Sequence, residues 1–217
     1  MNLVLFDLDN TLLSGDTDSE WLAFLLEQGV LPPSAQQENL EMERLYRSGQ
    51  ADAHEYVCFY LRFYPPHELS TLRAWRTRFL EQKIQPRMLP AAQKLIREQK
   101  IHLTAIITAT NRFLTEPIAA AFGIEHLIAT EPQMRDGRFT GDIVGAPCMR
   151  EGKITRLEHW LQSRNASMGD YPETWFYSDS INDLPLLERV THPVAVDADP
   201  RLAEIARQRG WRTLSLR

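Results

Sequence analysis

The segment that most limits what this chain can become is Leu3-Val4-Leu5-Phe6, four apolar residues that run directly into Asp7-Leu8-Asp9-Asn10-Thr11. A short apolar run without alternation reads as a strand covered on both faces, the habit of parallel sheets with helices above and below. In such sheets chemistry gathers just beyond the carboxyl ends of the strands. Asp7 and Asp9 fall there. Residues two apart on an extended chain point the same way, so both carboxylates can address one small volume. Two acids that close need a cation or a shared proton, and hard oxygen ligands on a rigid turn suit Mg²⁺. The same residue types also make turns and cap helices, so the alternative reading of Asp-Asn-Thr is the turn into the next helix.

Downstream the pattern changes twice. Over 14–86 the apolar residues recur at helical spacing, as in Trp21, Phe24 and Leu25, and Leu31-Pro32-Pro33 breaks the first helix. Further helices are predicted over 34–48, 52–63 and 68–83, the first stopped by Gly49 and the second by Pro65-Pro66. From Pro90 helices and strands alternate, which predicts a parallel sheet with crossover helices. The helices fall at 90–99, 115–122, 151–163, 182–190 and 201–209, and the strands at 102–108, 126–129, 175–177, 193–196 and 213–216. Asp136-Gly137 between short extended stretches predicts a hairpin over 135–141. The expected architecture is α/β, with a core made of 1–13 and 87–217 and a helical insert over 14–86.

At 217 residues with 43% hydrophobic and 24% charged, the chain has the composition of a folded water-soluble protein, and its net charge of -5 argues against nucleic acid as the main partner. No apolar run approaches the roughly 20 residues that span a bilayer, and the amino terminus lacks the basic segment of a secretory signal. The expectation is a cytoplasmic protein with no membrane partner. Cys58 and Cys148 are the only cysteines and lie far apart, which suggests free buried thiols. The six histidines form no HxxxH pair, so no zinc ligand set is visible.

Three more places carry groups suited to chemistry. Thr108-Ala109-Thr110-Asn111 follows the apolar strand Leu103–Ile107, where a hydroxyl and backbone N–H groups at a helix start make either an anion site or an N-cap. Arginines outnumber lysines 20 to 4, so Lys153, the only lysine after Lys100, is not this chain's default surface cation. At a helix start its charge is unfavourable unless an anion is near, and the alternative reading is a solvated surface lysine. Ser178-Asp179-Ser180-Ile181-Asn182-Asp183 again puts acid at the end of an apolar strand. Asp183 lies one helical turn beyond Asp179, so both acids can address one side of the helix start or simply fill its first turn.

Taken in order, these four places resemble the motifs of the haloacid dehalogenase (HAD) superfamily over nearly the whole chain. Asp7-Leu8-Asp9-Asn10-Thr11 is similar to its DxDxT motif, Thr108 to the motif II hydroxyl, Lys153 to the motif III base, and Asp179 with Asp183 to motif IV. The insert resembles a C1-type cap, and Phe139-Thr140-Gly141 resembles the hairpin of the phosphoserine-phosphatase-like branch, subfamily IB. The resemblance implies a Rossmann-like core and a Mg²⁺-dependent phosphatase acting through an aspartyl phosphate. It implies Asp7 as nucleophile and Asp9 as general acid and base, with Asp7, Asp9 and Asp179 as metal ligands. Asp183 then orients Lys153 or ligates the metal, while Thr108, Ala109, Thr110 and Asn182 contact the substrate. The implied partner is a small phosphate ester, and the chain is expected as a monomer or homodimer.

Asp16, nine residues after Asp7, matches the acid that receives a substrate amine in phosphoserine phosphatases, and otherwise reads as a surface acid. The Ser-Leu-x-x-Arg run that holds the substrate carboxylate in those enzymes is missing. Its counterpart is Glu55–Arg62, where Arg62 stands one place out of register. An unpaired carboxylate in a closed site is costly. Histidinol phosphate, an amine without a carboxylate, therefore stands beside phosphoserine as the expected substrate. A phosphotransferase, or a binder of phosphorylated ligands without catalysis, is the alternative reading.

Overall fold

The computed structural model describes residues 1–217. Leu3–Phe6 forms β1, wholly buried, at the centre of a seven-stranded sheet. Four helices follow: α1 (Thr17–Glu27), α2 (Ser34–Arg47), α3 (Ala53–Leu61) and α4 (Leu69–Phe79). The rest alternates as α5 (Pro90–Glu98), β2 (Leu103–Asn111), α6 (Arg112–Phe122), β3 (His126–Arg135), β4 (Arg138–Val144), α7 (Glu151–Gln162), β5 (Thr174–Ser178), α8 (Leu184–Leu187), β6 (His192–Val196), α9 (Pro200–Arg209) and β7 (Arg212–Leu214). The strand order is β4-β3-β2-β1-β5-β6-β7, parallel throughout except for the β3–β4 hairpin. This is the Rossmann-like α/β core with a parallel sheet and a small hairpin that the sequence leads one to expect. No helix is long and apolar enough to cross a membrane.

Alternation along the strands sorts the core into two layers. Val4 and Phe6 point to the face covered by α5, α6 and the insert helices, where Trp21, Phe24, Ile96, Leu114 and Phe122 join them. Leu3 and Leu5 point to the other face, with Leu157 and Leu161 of α7, Leu186 and Leu187 of α8, and Leu202 of α9. With both faces covered, β1 needs an apolar residue at every position, which explains its unbroken run. Its neighbours are β2 on one side and β5 on the other, so the crossovers part at β1 and open a crevice at its carboxyl end. Asp7 enters that crevice, its amide donating to the Tyr177 carbonyl at 2.9 Å.

Between β1 and α5 the regular structure is all helical, α4 running on into a π-helical turn over Leu80–Ile84. The incoming and outgoing segments lie side by side: Leu13 bridges Met88, and the Ser14 amide donates to the Arg87 carbonyl at 2.9 Å.

Several boundaries differ from expectation for local reasons. β2 continues to Asn111 and α6 starts at Arg112 rather than 115, because the β-branched threonines favour strand and Asn111 caps the helix by accepting from the Leu114 amide. β3 runs on to Arg135 because its polar half pairs with β4. The helix expected over 182–190 is a 3-10 turn, Ile181–Asp183, followed by the four-residue α8. Ser180 and Asp199 accept from the Asn182 and Ile181 amides and tighten the start, and Pro185 lacks an N–H. The last strand covers 212–214, not 213–216. Cys148 is buried as expected, but Cys58 is only partly so, since the last turn of α3 faces the exposed hairpin.

Candidate active site

A cleft of about 160 Å³ opens at the carboxyl end of β1. Its walls come from the ends of β1, β2 and β5, the first turn of α7, and the insert helices. All four sequence segments singled out above meet there, although 172 positions separate Asp7 from Asp179.

Lys153 sits on the floor. It is 2% exposed and its Nζ donates to Asp7 Oδ1 and Asp183 Oδ2, each at 2.7 Å. Burial alone would lower the ammonium pKa, but the charges of Asp183 and Asp7 outweigh it and hold the group protonated. Ser178 donates to Asp183 Oδ2 at 2.7 Å, fixing that carboxylate. The first turn of α7 is pressed against the preceding loop. A Cβ on Gly152 would stand 2.0 Å from the Pro147 carbonyl oxygen, so only glycine lets the helix seat Lys153 this deeply.

Asp7 and Asp179 share one donor. The Thr11 hydroxyl lies 3.3 Å from Asp7 Oδ2 and 3.1 Å from Asp179 Oδ1, yet it carries a single proton. Burial pushes the Asp7 carboxyl up to about 6, with Lys153 opposing and Asp183 adding to the rise. Burial also pushes Asp179 up to about 8, reinforced by the charges of Asp7 and Asp183. Two oxygen-rich acids with one proton between them, beside a lysine already divided between two carboxylates, are a donor set that a hard divalent cation fits.

Asp9 lies on the other side of the cleft. Thr17 donates to its Oδ1 through both amide and hydroxyl, and Thr110 donates to its Oδ2 at 2.8 Å. Burial, then the nearby charge of Asp16, pushes its pKa up to about 7. An acid held there can give and take a proton near neutral pH. Asn10, next in sequence, has φ 57, the left-handed turn that carries the chain out of β1 toward the insert. Thr108 and Ala109 also line the cleft, but Thr108 lies on β2, not at a helix start. Its hydroxyl accepts from the Thr110 amide at 3.2 Å, so the helix-dipole argument does not apply at that position. Asn182 lines the cleft as well.

The insert supplies a wall of acids and aromatic rings. Asp16 caps α1 by accepting from the Ser19 amide at 2.8 Å, and it faces the cleft with Asp18, Tyr46 and Tyr56. Asp18 was not singled out from sequence, because an acid in the first turn of a helix is explained by the dipole alone. In the fold its Oδ1 is buried without a partner, and burial, Asp16 and Asp9 push its pKa well up. The only sequence signal was its spacing, two residues after Asp16. Arg62 lies elsewhere: it pairs with Glu38 at 2.5 Å, stacks on Phe59 and Phe63, and lines no part of the cleft. Lys153 is the only cation in the lining, facing six aspartates. Arg47, Arg150 and Arg201 line the adjoining outer cleft, where Arg150 stacks on Tyr46 at 4.6 Å.

Comparison with other proteins matches this geometry to a family. The model of the haloacid dehalogenase-like hydrolases fits residues 4–188. A protein of Neisseria meningitidis serogroup C named histidinol-phosphatase is 36% identical, over 100% of this chain and 99% of its own. A crystal structure of a protein with unknown function from Bordetella pertussis Tohama I superposes with a TM-score of 0.96 at 43% identity, covering 100% of this chain and 99% of that one. A substrate-bound phosphoserine phosphatase shares the fold, with a TM-score of 0.69 at 19% identity and coverage of 100% and 93%.

Proposed function

The chain belongs to the haloacid dehalogenase-like hydrolase family and is a phosphatase, and on that premise we propose that it hydrolyses a small amine-bearing phosphomonoester of the histidinol phosphate type through an aspartyl phosphate. The observation that carries the reaction is the placement of Asp7 against Lys153, with the raised carboxyl of Asp9 in the same cleft.

Asp7 attacks phosphorus, the P–O bond to the ester oxygen breaks, and Asp9 donates its proton to the departing alkoxide. Asp9 then takes a proton from water, which attacks the same phosphorus and returns Asp7 as a carboxylate with release of inorganic phosphate. Lys153 neutralises Asp7 and the phosphoryl oxygens, Asp183 holds Lys153 in place, and Thr108, Ala109, Thr110 and Asn182 cradle the ester. Mg²⁺, held by the Asp7 carboxylate, the Asp9 backbone carbonyl and Asp179, would offset the repulsion between an anionic nucleophile and an anionic phosphate. Residues 14–86 act as a cap over this site, hinged where Leu13 meets Met88 and excluding water when closed.

The acids of the insert support the substrate class. Asp16 and Asp18 present carboxyl oxygens, one of them without a partner, and the inner cleft holds no arginine. An amine or imidazolium meets that wall, whereas a carboxylate there would face acids, the arginines Arg47, Arg150 and Arg201 lying only in the outer cleft. The 36% identical histidinol-phosphatase supports the same choice. The test is phosphate release from histidinol phosphate and from phosphoserine by purified protein with Mg²⁺. A higher kcat/KM for histidinol phosphate is expected, and a preference for phosphoserine would overturn the substrate reading.

A further inference from the structure

Outside the cleft, His54, Cys58 and Asp142 bring one potential metal-binding atom each to a single point, all within 4.8 Å of one another. From this cluster we propose a second metal site, for a zinc-type ion, that ties the helical insert to the β3–β4 hairpin. His54 and Cys58 stand one turn apart on α3, so they share a face, and Asp142 reaches them from β4. The separations are 3.7 Å from Cys58 Sγ to His54 Nε2, 3.6 Å from Sγ to Asp142 Oδ1, and 2.8 Å from Nε2 to Oδ1. Bonds of about 2.0 Å to nitrogen and oxygen and about 2.3 Å to sulfur place tetrahedral ligands roughly 3.3–3.6 Å apart. Two of the three edges already match, and the third opens when the His–Asp hydrogen bond gives way to the ion.

The supports are rigid. A capping box between Asp52 and Glu55 fixes the start of α3, and the Ile143 amide donates to Asp142 Oδ1 at 2.7 Å. Gly141, at φ +87, lets the hairpin run close under α3: a Cβ there would stand 3.2 Å from Pro65 Cγ and 3.7 Å from Arg62 Cα. One thiolate, one imidazole and one carboxylate form a borderline donor set that favours zinc over magnesium, and the partial exposure of the cluster leaves water as fourth ligand. Binding displaces the Cys58 thiol proton to solvent. Because the ligand is the thiolate, affinity rises with pH. Sequence alone hides the site because Asp142 lies 84 residues from Cys58.

Cobalt(II) tests the site in reduced full-length protein with excess Mg²⁺, which occupies acidic sites but not thiolates. A thiolate-to-cobalt charge-transfer band saturating at one equivalent and abolished by Zn²⁺ is expected. It should be absent in Cys58→Ser, and His54→Ala and Asp142→Asn should each weaken binding roughly ten-fold or more. Zn²⁺ should also raise the melting temperature of the wild type but not of Cys58→Ser, and all three variants should keep Mg²⁺-dependent phosphatase activity. Absence of the band in the wild type, or a band of unchanged affinity in both His54→Ala and Asp142→Asn, overturns the site.

Discussion

Lys153 Nζ lies 2.7 Å from Asp7 Oδ1, and both side chains are more than nine-tenths buried. Removing the ammonium leaves Asp7 and Asp183 facing each other in a dry site. Breaking a buried pair by deleting one partner costs about 3–5 kcal/mol. Lys153→Met is expected to lower the urea midpoint of metal-free protein by a corresponding amount and to reduce kcat on every ester tested. Equilibrium unfolding with and without chelator, beside steady-state kinetics, measures both. An unchanged midpoint would mean that the pair contributes nothing to the folded state.

Asp18 carries the opposite expectation for stability. Its carboxyl is buried with Oδ1 unpartnered and its pKa pushed well up by burial, Asp16 and Asp9, so the fold tolerates it at a cost. Asp18→Asn should raise the melting temperature by roughly a few degrees. The same change should raise KM for histidinol phosphate roughly ten-fold, about the worth of one charge-assisted contact, and leave KM for p-nitrophenyl phosphate nearly unchanged. Equal effects on both substrates would remove Asp18 from amine recognition.

The acids of the cleft give the metal-free protein a defined pH dependence. Burial pushes Asp7, Asp9 and Asp179 up to about 6, 7 and 8, from an ordinary 3.8 in the unfolded chain. Between those values the folded state binds more protons than the unfolded state, so this contribution to stability falls as pH rises from about 4 to 8. In chelator, the urea midpoint at about pH 8 should lie below that at about pH 5, and Mg²⁺ should recover most of the difference. A midpoint that climbs over this range in chelator would contradict the picture of under-neutralised carboxylates.

Much of this was legible in the sequence because it rests on short-range pattern. The apolar run ending at Asp7 fixes a central buried strand, and alternation from Pro90 onward fixes the parallel sheet. The acids at the ends of β1 and β5, and the isolated Lys153, stand out because their residue types conflict with the simplest local explanation. Asp18 and Tyr46 did not stand out. An acid in a first helical turn and an aromatic on a helix face are ordinary, and only the packing of the insert against the core turns them toward the cleft. α6 starts at Arg112 and not at 115 because Thr108 and Thr110 suit strand and cap alike, and pairing with β3 decides between them. Arg62 looked available from spacing but found Glu38 and two phenylalanine rings instead.

The central claim is that Asp7 takes the phosphoryl group, and the Asp9→Asn protein is the place to catch it. p-Nitrophenyl phosphate has a leaving group that needs no proton, so Asp7 should still be phosphorylated, while the water that clears it lacks its base and turnover slows by about 10²–10⁴. Acid quench within the first turnover, digestion and mass spectrometry should find one phosphoryl group on the peptide containing Asp7, matching a burst of one nitrophenolate per chain. Nitrophenolate release with no phosphoryl group on that peptide, or with the group on another residue, would contradict the account.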